Sequence, residues 1–160
     1  MTPRMGCDLQ AVAPVAEALD ARGARYLAAV FAPEEVAELT RSGQRAASAE
    51  SVAGRFAAKE AVMKALAPGR DDAVPWPHIV IRAGSHGEPR VQLRDAARRL
   101  ARRRGVEQWS VSTSHDGGFA MAVALAQCTA EPPGPGGGVG PRDAAEQAPW
   151  PRPGDAPQTP

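Results

Sequence analysis

Cysteine is scarce in this chain of 160 residues, and long apolar runs are missing. The two thiols, Cys7 and Cys128, stand far apart and match neither a metal-ligand spacing nor a disulfide framework. They suit a reducing compartment, and we expect a cytoplasmic protein. No apolar run reaches the roughly 18 residues that a membrane-spanning helix needs, and Met1-Thr2-Pro3-Arg4 leads into no signal-peptide core. Charge of one sign is lacking too. Lys and Arg number 19 against 18 Asp and Glu, a formal net charge of +1, so nothing global calls for nucleic acid. No internal repeat is visible. What is there is a hydrophobic fraction of 43%, much of it alanine, and length for one ordinary domain and a tail.

The tail begins where composition breaks, near Gln127. From Thr129 to Pro160, 15 of 32 residues are Pro or Gly, too little apolar surface to offset the entropy of ordering. We therefore expect a folded domain over residues 1–127 and a disordered Pro/Gly-rich tail over 128–160, with Trp150 as its only large side chain. Within the domain, Met5–Leu9 fits the end of a strand, and Ala13–Arg22 and Pro33–Thr40 read as helices, with Pro33 at a favoured first position. A long helix capped by Ser48 or Ser51 runs to Leu66 and stops at Pro68-Gly69. His78–Arg82 and Arg90–Leu93 alternate across a Gly-rich turn and read as a hairpin. A basic helix from Asp95 to Arg104 ends at Gly105, and Gln108–Ser114 with Phe119–Leu125 closes a second hairpin through Asp116-Gly117-Gly118. The expected class is α+β, a small antiparallel sheet packed against helices that include one long central helix.

That helix carries the first chemical signal. At 100° per residue, Val52, Phe56, Met63 and Leu66 share one face. Glu60 lies about 40° from Phe56, and Lys64 follows one turn later. A carboxylate entering an apolar stripe is costly unless paired or metal-bound. Two readings stand: an ordinary Glu60–Lys64 pair worth roughly 0.2–0.5 kcal/mol, or a site. Asp8, where an apolar strand meets a loop, is a turn or capping acid on its own. Together with Glu60 it makes a pair of hard donors for a cation such as Mg²⁺, which favours a couple of carboxylates, waters and phosphate oxygens. Lys64 would then neutralise phosphate charge. Ser114, His115 and Asp116 are sequence neighbours and cannot form a catalytic triad, whose members come from separate elements, so serine hydrolysis is rejected. His115 remains either a structural turn residue or a phosphate donor. The arginines of Arg94–Arg104 read first as a solvated face and second as an attraction for an acidic protein; no aromatics interleave as in a nucleic-acid footprint.

Several runs together resemble the holo-acyl-carrier-protein synthase family of 4′-phosphopantetheinyl transferases. They are Gly6-Cys7-Asp8-Leu9, Arg25-Tyr26, Phe31-Ala32-Pro33-Glu34-Glu35, the helix run Ala53–Ala61, Lys64-Ala65-Leu66, Gly87-Glu88-Pro89 and Ser112-Thr113-Ser114-His115. They follow the family's order and spacing over nearly all of Met5–Gln127. The resemblance implies Mg²⁺-dependent transfer of phosphopantetheine from coenzyme A to a carrier-protein serine, with release of adenosine 3′,5′-bisphosphate. It implies a homotrimer with each active site between two subunits, and no nucleic-acid or membrane partner. Asp8 and Glu60 match the metal-binding acids, which in such a trimer we expect from adjacent chains. By the same resemblance, Arg55, Lys64, Gly69, Gly87, Pro89, Ser114 and His115 bind the coenzyme, and Glu60, Lys64, Asp8 and His115 are candidates for catalysis.

The chain also departs from the family pattern. Ala67-Pro68-Gly69 replaces Gly-Thr-Gly, removing a flexible position and a hydroxyl near the phosphates. Pro14 and Ala29 stand where carrier-binding arginines are usual, which leaves Arg22 and Arg25 to meet an acidic acyl carrier protein, of fatty-acid or polyketide type. Two other classes compete: a carrier-protein or nucleotide-binding module on the same fold without turnover, and a small oligomeric interaction protein in which Glu60 is merely salt-bridged.

Overall fold

The computed structural model describes residues 2–41 and 47–129; the Pro/Gly-rich segment with Trp150 lies outside the described residues. Strand β1 (Thr2–Ala11) leads into helices α1 (Val12–Arg22), α2 (Ala24–Val30) and α3 (Pro33–Thr40). The long α4 (Ala49–Leu66) follows, then a 3₁₀ turn at Trp76–His78 and the hairpin β2 (Ile79–Ala83) and β3 (Pro89–Leu93). Helix α5 (Asp95–Arg103) leads to a second hairpin, β4 (Val106–Asp116) and β5 (Phe119–Cys128). Thus β5 runs one residue past the expected break at Gln127, and Cys128 is buried opposite Thr2.

The sheet is split in two. One part has the antiparallel order β1-β5-β4, the other is the β2-β3 pair. Alternation along β5 decides which face is covered: Ala120, Ala122, Ala124 and Ala126 are fully buried against α4, while Phe119 and Met121 on the opposite face are about half exposed. Met5 and Leu9 of β1 share that outer face.

Ser48 caps α4 by accepting the Ser51 N–H at 3.1 Å, and the helix ends on Ala67 in the left-handed region (φ 45°) ahead of Pro68. The expected apolar stripe is not what organises this helix. Val52 and Leu66 are buried, yet so are Ala53, Ala57, Ala58, Ala61, Val62 and Ala65, whereas Phe56 and Met63 are only half-buried. Alanines let both sheets and α1 approach the helix at once, so it is enclosed nearly all round and the carbon-rich stripe carries little of the distinction. Its first half packs into a core with Val15, Leu27, Phe31 and Leu39, and its second half into a core with Ile79, Ile81, Leu100 and Ala122. Helix α2 was not expected. Gly23 (φ 43°) breaks the chain after α1, but Ala24-Arg25-Tyr26-Leu27-Ala28-Ala29-Val30 is rich in helix formers and buries Leu27 and Val30.

At the centre lies an ion pair. Lys59 and Glu35 are both 0% exposed, with Nζ 2.7 Å from Oε2. The ammonium also donates to the Trp76 carbonyl at 3.1 Å and to the Ile79 carbonyl, and it stands 5.2 Å from the Phe31 ring centroid. Glu35 further accepts the Ala32 N–H and the Ile81 N–H, each at 2.8 Å. Burial pushes the Lys59 ammonium down, and the Glu35 charge opposes that push. Removing one partner of such a pair leaves an uncompensated buried charge. Lys59→Met is expected to lose about 3–5 kcal/mol of unfolding free energy in urea denaturation; a loss below about 1 kcal/mol would show that Glu35 is satisfied without it.

Candidate active site

Gly6 determines how the first group of candidates meets. Strand β1 crosses α4 so closely that a Cβ on Gly6 would lie 2.1 Å from the Ala61 carbonyl oxygen and 2.7 Å from the Ala65 nitrogen. Only glycine fits this crossing. Two residues on, and therefore on the same face of the strand, Asp8 reaches Lys64: Oδ1 lies 2.8 Å from Nζ. Lys64 also donates to the Cys7 carbonyl at 3.0 Å, and Asp8 Oδ2 accepts from Gln10 Nε2 at 2.6 Å. Lys64 is therefore taken by Asp8, and the i,i+4 pair with Glu60 is not formed. Strand β1 brings a second carboxylate to the lysine, which the helix considered alone does not contain.

Glu60 stands half-buried beside this pair. Burial raises its pKa above the usual carboxylate value, the Asp8 charge raises it further, and Lys64 opposes. Lys64 is raised in turn, chiefly by its hydrogen bond to Asp8. Asp8 and Glu60 thus come together within one chain, which corrects the expectation that adjacent chains supply them. Among the described residues no three His, Cys, Asp or Glu side chains are grouped to hold a metal. Two carboxylates that repel each other do fit a hard cation that takes its other ligands from water and phosphate.

A second group lies elsewhere. A cleft of about 280 Å³ opens between α4, the β2–β3 turn and the end of β4, lined among others by Arg55, Arg82, Gly87, Pro89, Ser114 and His115. Gly87 holds the turn at φ 82°, where a Cβ is strained. Beneath the wall, Glu38 accepts from Arg82 Nε at 2.5 Å and lies 3.1 Å from Arg55. It also accepts the Ala83 N–H at 3.3 Å. Burial works against the Glu38 charge, but the Arg82 hydrogen bond, the Ala83 N–H and the two guanidinium charges outweigh it and hold the carboxyl below its ordinary value.

The two groups occupy opposite sides of α4, since the five residues from Arg55 to Glu60 turn the helix by about 140°. Gly69 joins neither: its N–H donates to Asp72 Oδ2 at 2.9 Å in the connection after α4. Arg22 and Arg25 are exposed at the α1–α2 junction, and neither lines the cleft or pairs with Asp8 or Lys64. Sequence reasoning missed Glu38 and Arg82. The signal available was Arg82 at the end of the apolar run Ile79-Val80-Ile81 and an acid one turn after Glu34-Glu35.

Comparison with known proteins gives the class first. Residues 4–124 match the family model described as "4'-phosphopantetheinyl transferase superfamily". The holo-[acyl-carrier-protein] synthase of Moorella thermoacetica is 47% identical over 106 residues, covering 66% of this chain and 80% of that protein. That of Anaeromyxobacter dehalogenans (strain 2CP-C) is 40% identical over 124 residues, covering 76% and 92%. Among solved structures, a "Chronobacterium ammoniagenes ACPS-CoA complex" superposes with a TM-score of 0.69 at 29% identity, over 81% of this chain and all of that one. The chain belongs to the 4′-phosphopantetheinyl transferase superfamily, and within it to the holo-acyl-carrier-protein synthase family of enzymes.

The raised pKa of Glu60 has a stability consequence. Its folded form holds a proton more tightly than the unfolded chain does, so stability falls as pH rises from the unfolded carboxyl value through the folded one. Ionised Glu60 therefore destabilises the metal-free protein at neutral pH. Glu60→Gln is expected to melt at a higher temperature than the parent at pH 7, with the gap closing as the pH falls below the ordinary carboxyl value. A lower melting temperature at pH 7, or a gap independent of pH, would contradict the assignment.

Proposed function

We propose that this enzyme transfers the 4′-phosphopantetheine group of coenzyme A to a serine of an acyl carrier protein in the cytoplasm, in a Mg²⁺-dependent reaction that releases adenosine 3′,5′-bisphosphate. The observation that carries this reading is the Asp8–Glu60–Lys64 cluster, in which two carboxylates and an ammonium meet at the β1–α4 crossing. Solved family members with coenzyme bound, such as "Helicobacter pylori holo-[acyl-carrier-protein] synthase (AcpS) in complex with coenzyme A", support the donor: it superposes at a TM-score of 0.64 and 27% identity, over 77% of this chain and 99% of that one.

Asp8 and Glu60 would hold the Mg²⁺ ion, which supplies charge neutralisation at the pyrophosphate. Lys64, held by Asp8, presents a second positive charge to the departing phosphate. Attack by the carrier serine at phosphorus needs a proton acceptor and an in-line approach. Glu60 is our candidate acceptor, because its raised pKa brings its basicity nearer to neutrality; His115 and Asp8 are the other groups within the proposed machinery. On the far side of α4, Arg55, Gly87, Pro89, Ser114 and His115 line the cleft assigned to the nucleotide. Gly69, turned to Asp72, is kept only as a neighbour of the α4 C-terminus. Arg22 and Arg25 form an exposed basic rim for an acidic carrier helix.

Two features support a homotrimer with composite sites. The acid–lysine cluster and the nucleotide cleft lie on opposite sides of one helix, so we assign the two ends of one bound coenzyme to two copies of the chain. The outer sheet face offers a surface for them: Met5 is 70% exposed, Leu9 60%, Phe119 48% and Met121 46%. The residues 130–160 are assigned to a tail dispensable for turnover.

Mass spectrometry of apo carrier proteins of fatty-acid and polyketide type, after incubation with the protein, coenzyme A and Mg²⁺, tests the reaction. A gain of one phosphopantetheine, lost with chelator and absent with Asp8→Ala or Glu60→Ala, is expected. Full activity in either variant would overturn the metal assignment, and no gain on any carrier would overturn the transfer.

A further inference from the structure

The cleft contains a device that the reaction does not by itself demand. Its wall carries two guanidinium groups, Arg55 from α4 and Arg82 from β2, and one carboxylate behind them touches both. The Glu38 side chain is 13% exposed, against 15% for Arg55 and 36% for Arg82. It spends Oε1 on Arg82 and Oε2 on Arg55 and the Ala83 N–H. Arg55 is further pinned by donating to the Glu35 carbonyl at 3.2 Å. A free arginine carries roughly 2 kcal/mol of rotamer entropy, and this pair has been ordered before any ligand arrives. Each guanidinium keeps N–H groups with no recorded partner among the described residues: the Nη groups of Arg82, and Nε and Nη2 of Arg55. Glu38 and Glu50, the latter in the first turn of α4 and in the cleft lining, formally balance the two guanidinium charges, so what the cleft offers an anion is this set of directed N–H groups. A geometry of two fixed forks matches a dianionic phosphate monoester, whose oxygens accept from both.

Coenzyme A carries two kinds of phosphate: the pyrophosphate, assigned above to Asp8, Glu60 and Lys64, and a monoester on the ribose. We infer that Glu38 is a positioning residue that holds Arg55 and Arg82 as a pair for the ribose phosphate monoester, and so makes the enzyme discriminate coenzyme A from its dephosphorylated form. The inference rests on the coenzyme reading of the cleft. Glu38 touches no ligand; it acts by fixing the two guanidinium planes and by supplying the charge that keeps them together, with the β2 edge N–H of Ala83 locking its own rotamer.

Calorimetric titration of the full chain with adenosine 3′,5′-bisphosphate and with 5′-AMP separates the possibilities. The parent is expected to prefer the bisphosphate. Glu38→Gln keeps an acceptor for Ala83 but loses the charge, and Arg82→Ala removes one fork at the surface. Each should weaken bisphosphate binding about tenfold, the scale of one charge-assisted hydrogen bond, and change 5′-AMP binding by about twofold at most. In turnover, the KM ratio of dephospho-coenzyme A to coenzyme A should shrink in both variants. Should Glu38→Gln fail to fold, Arg82→Ala alone decides. Equal weakening of both nucleotides, or an unchanged preference in the variants, overturns the role of Glu38 while leaving the coenzyme reading intact. A parent that binds neither nucleotide overturns the coenzyme reading and this inference with it.

Discussion

The buried Glu35–Lys59 pair is the interaction on which the rest of the architecture depends. Its atoms tie four segments to one point: the N-terminus of α3 through the Ala32 N–H, the middle of α4 through Lys59, the 3₁₀ turn through the Trp76 carbonyl, and β2 through Ile79 and Ile81. Two charges withdrawn from water are a liability unless every donor and acceptor is answered. Here the ammonium uses all three of its donors, and both carboxylate oxygens accept. Such a network fixes geometry more than it adds net stability. Because Lys59 and Arg55 stand one turn apart on α4, the point that anchors β2 also fixes the distance between Arg55 and Arg82.

Around that anchor the chain puts chemistry on both sides of a helix built largely from alanine. Small side chains let β1 and β5 approach one flank and β2 the other, and Gly6 allows the closest crossing. The acid–lysine cluster sits at the β1 crossing and the arginine-lined cleft at the β2 side. Glu60 is held in a costly state, half-buried beside a second carboxylate, as expected of a group whose counter-charge arrives with its ligands. Arg55 and Arg82 are in the opposite situation, neutralised in part and ordered beforehand by Glu38. One side of the helix therefore stores electrostatic strain while the other stores order.

Much of the fold was legible locally. Pro33 at a helix start, the Ser48 cap, Pro68 after Leu66 and the two glycine-bearing hairpin turns are signals within a few residues of the effect they produce, and α3, α4, both hairpins and α5 lie where those signals put them. Helix α2 escaped because Gly23 marks a stop in sequence while the restart beyond it carries no cap. The apolar stripe misled because amphipathic spacing assumes one covered face, and α4 is enclosed on nearly all of its circumference.

The amino-acid sequence by itself determined the element order apart from α2, the α+β class, the family through its spaced runs, and the candidacy of Asp8, Glu60, Lys64, Arg55 and His115. Tertiary structure alone decided who partners whom. Lys64 turned to Asp8 across 56 positions of chain instead of to Glu60 one turn away, Lys59 became the core of an ion-pair network, and Glu38 drew Arg55 and Arg82 together. Local propensities act over a turn of helix or a strand pair and can be read from spacing. The partners of a charge depend on which segments a crossing brings within about 4 Å, and a single glycine at that crossing settles it.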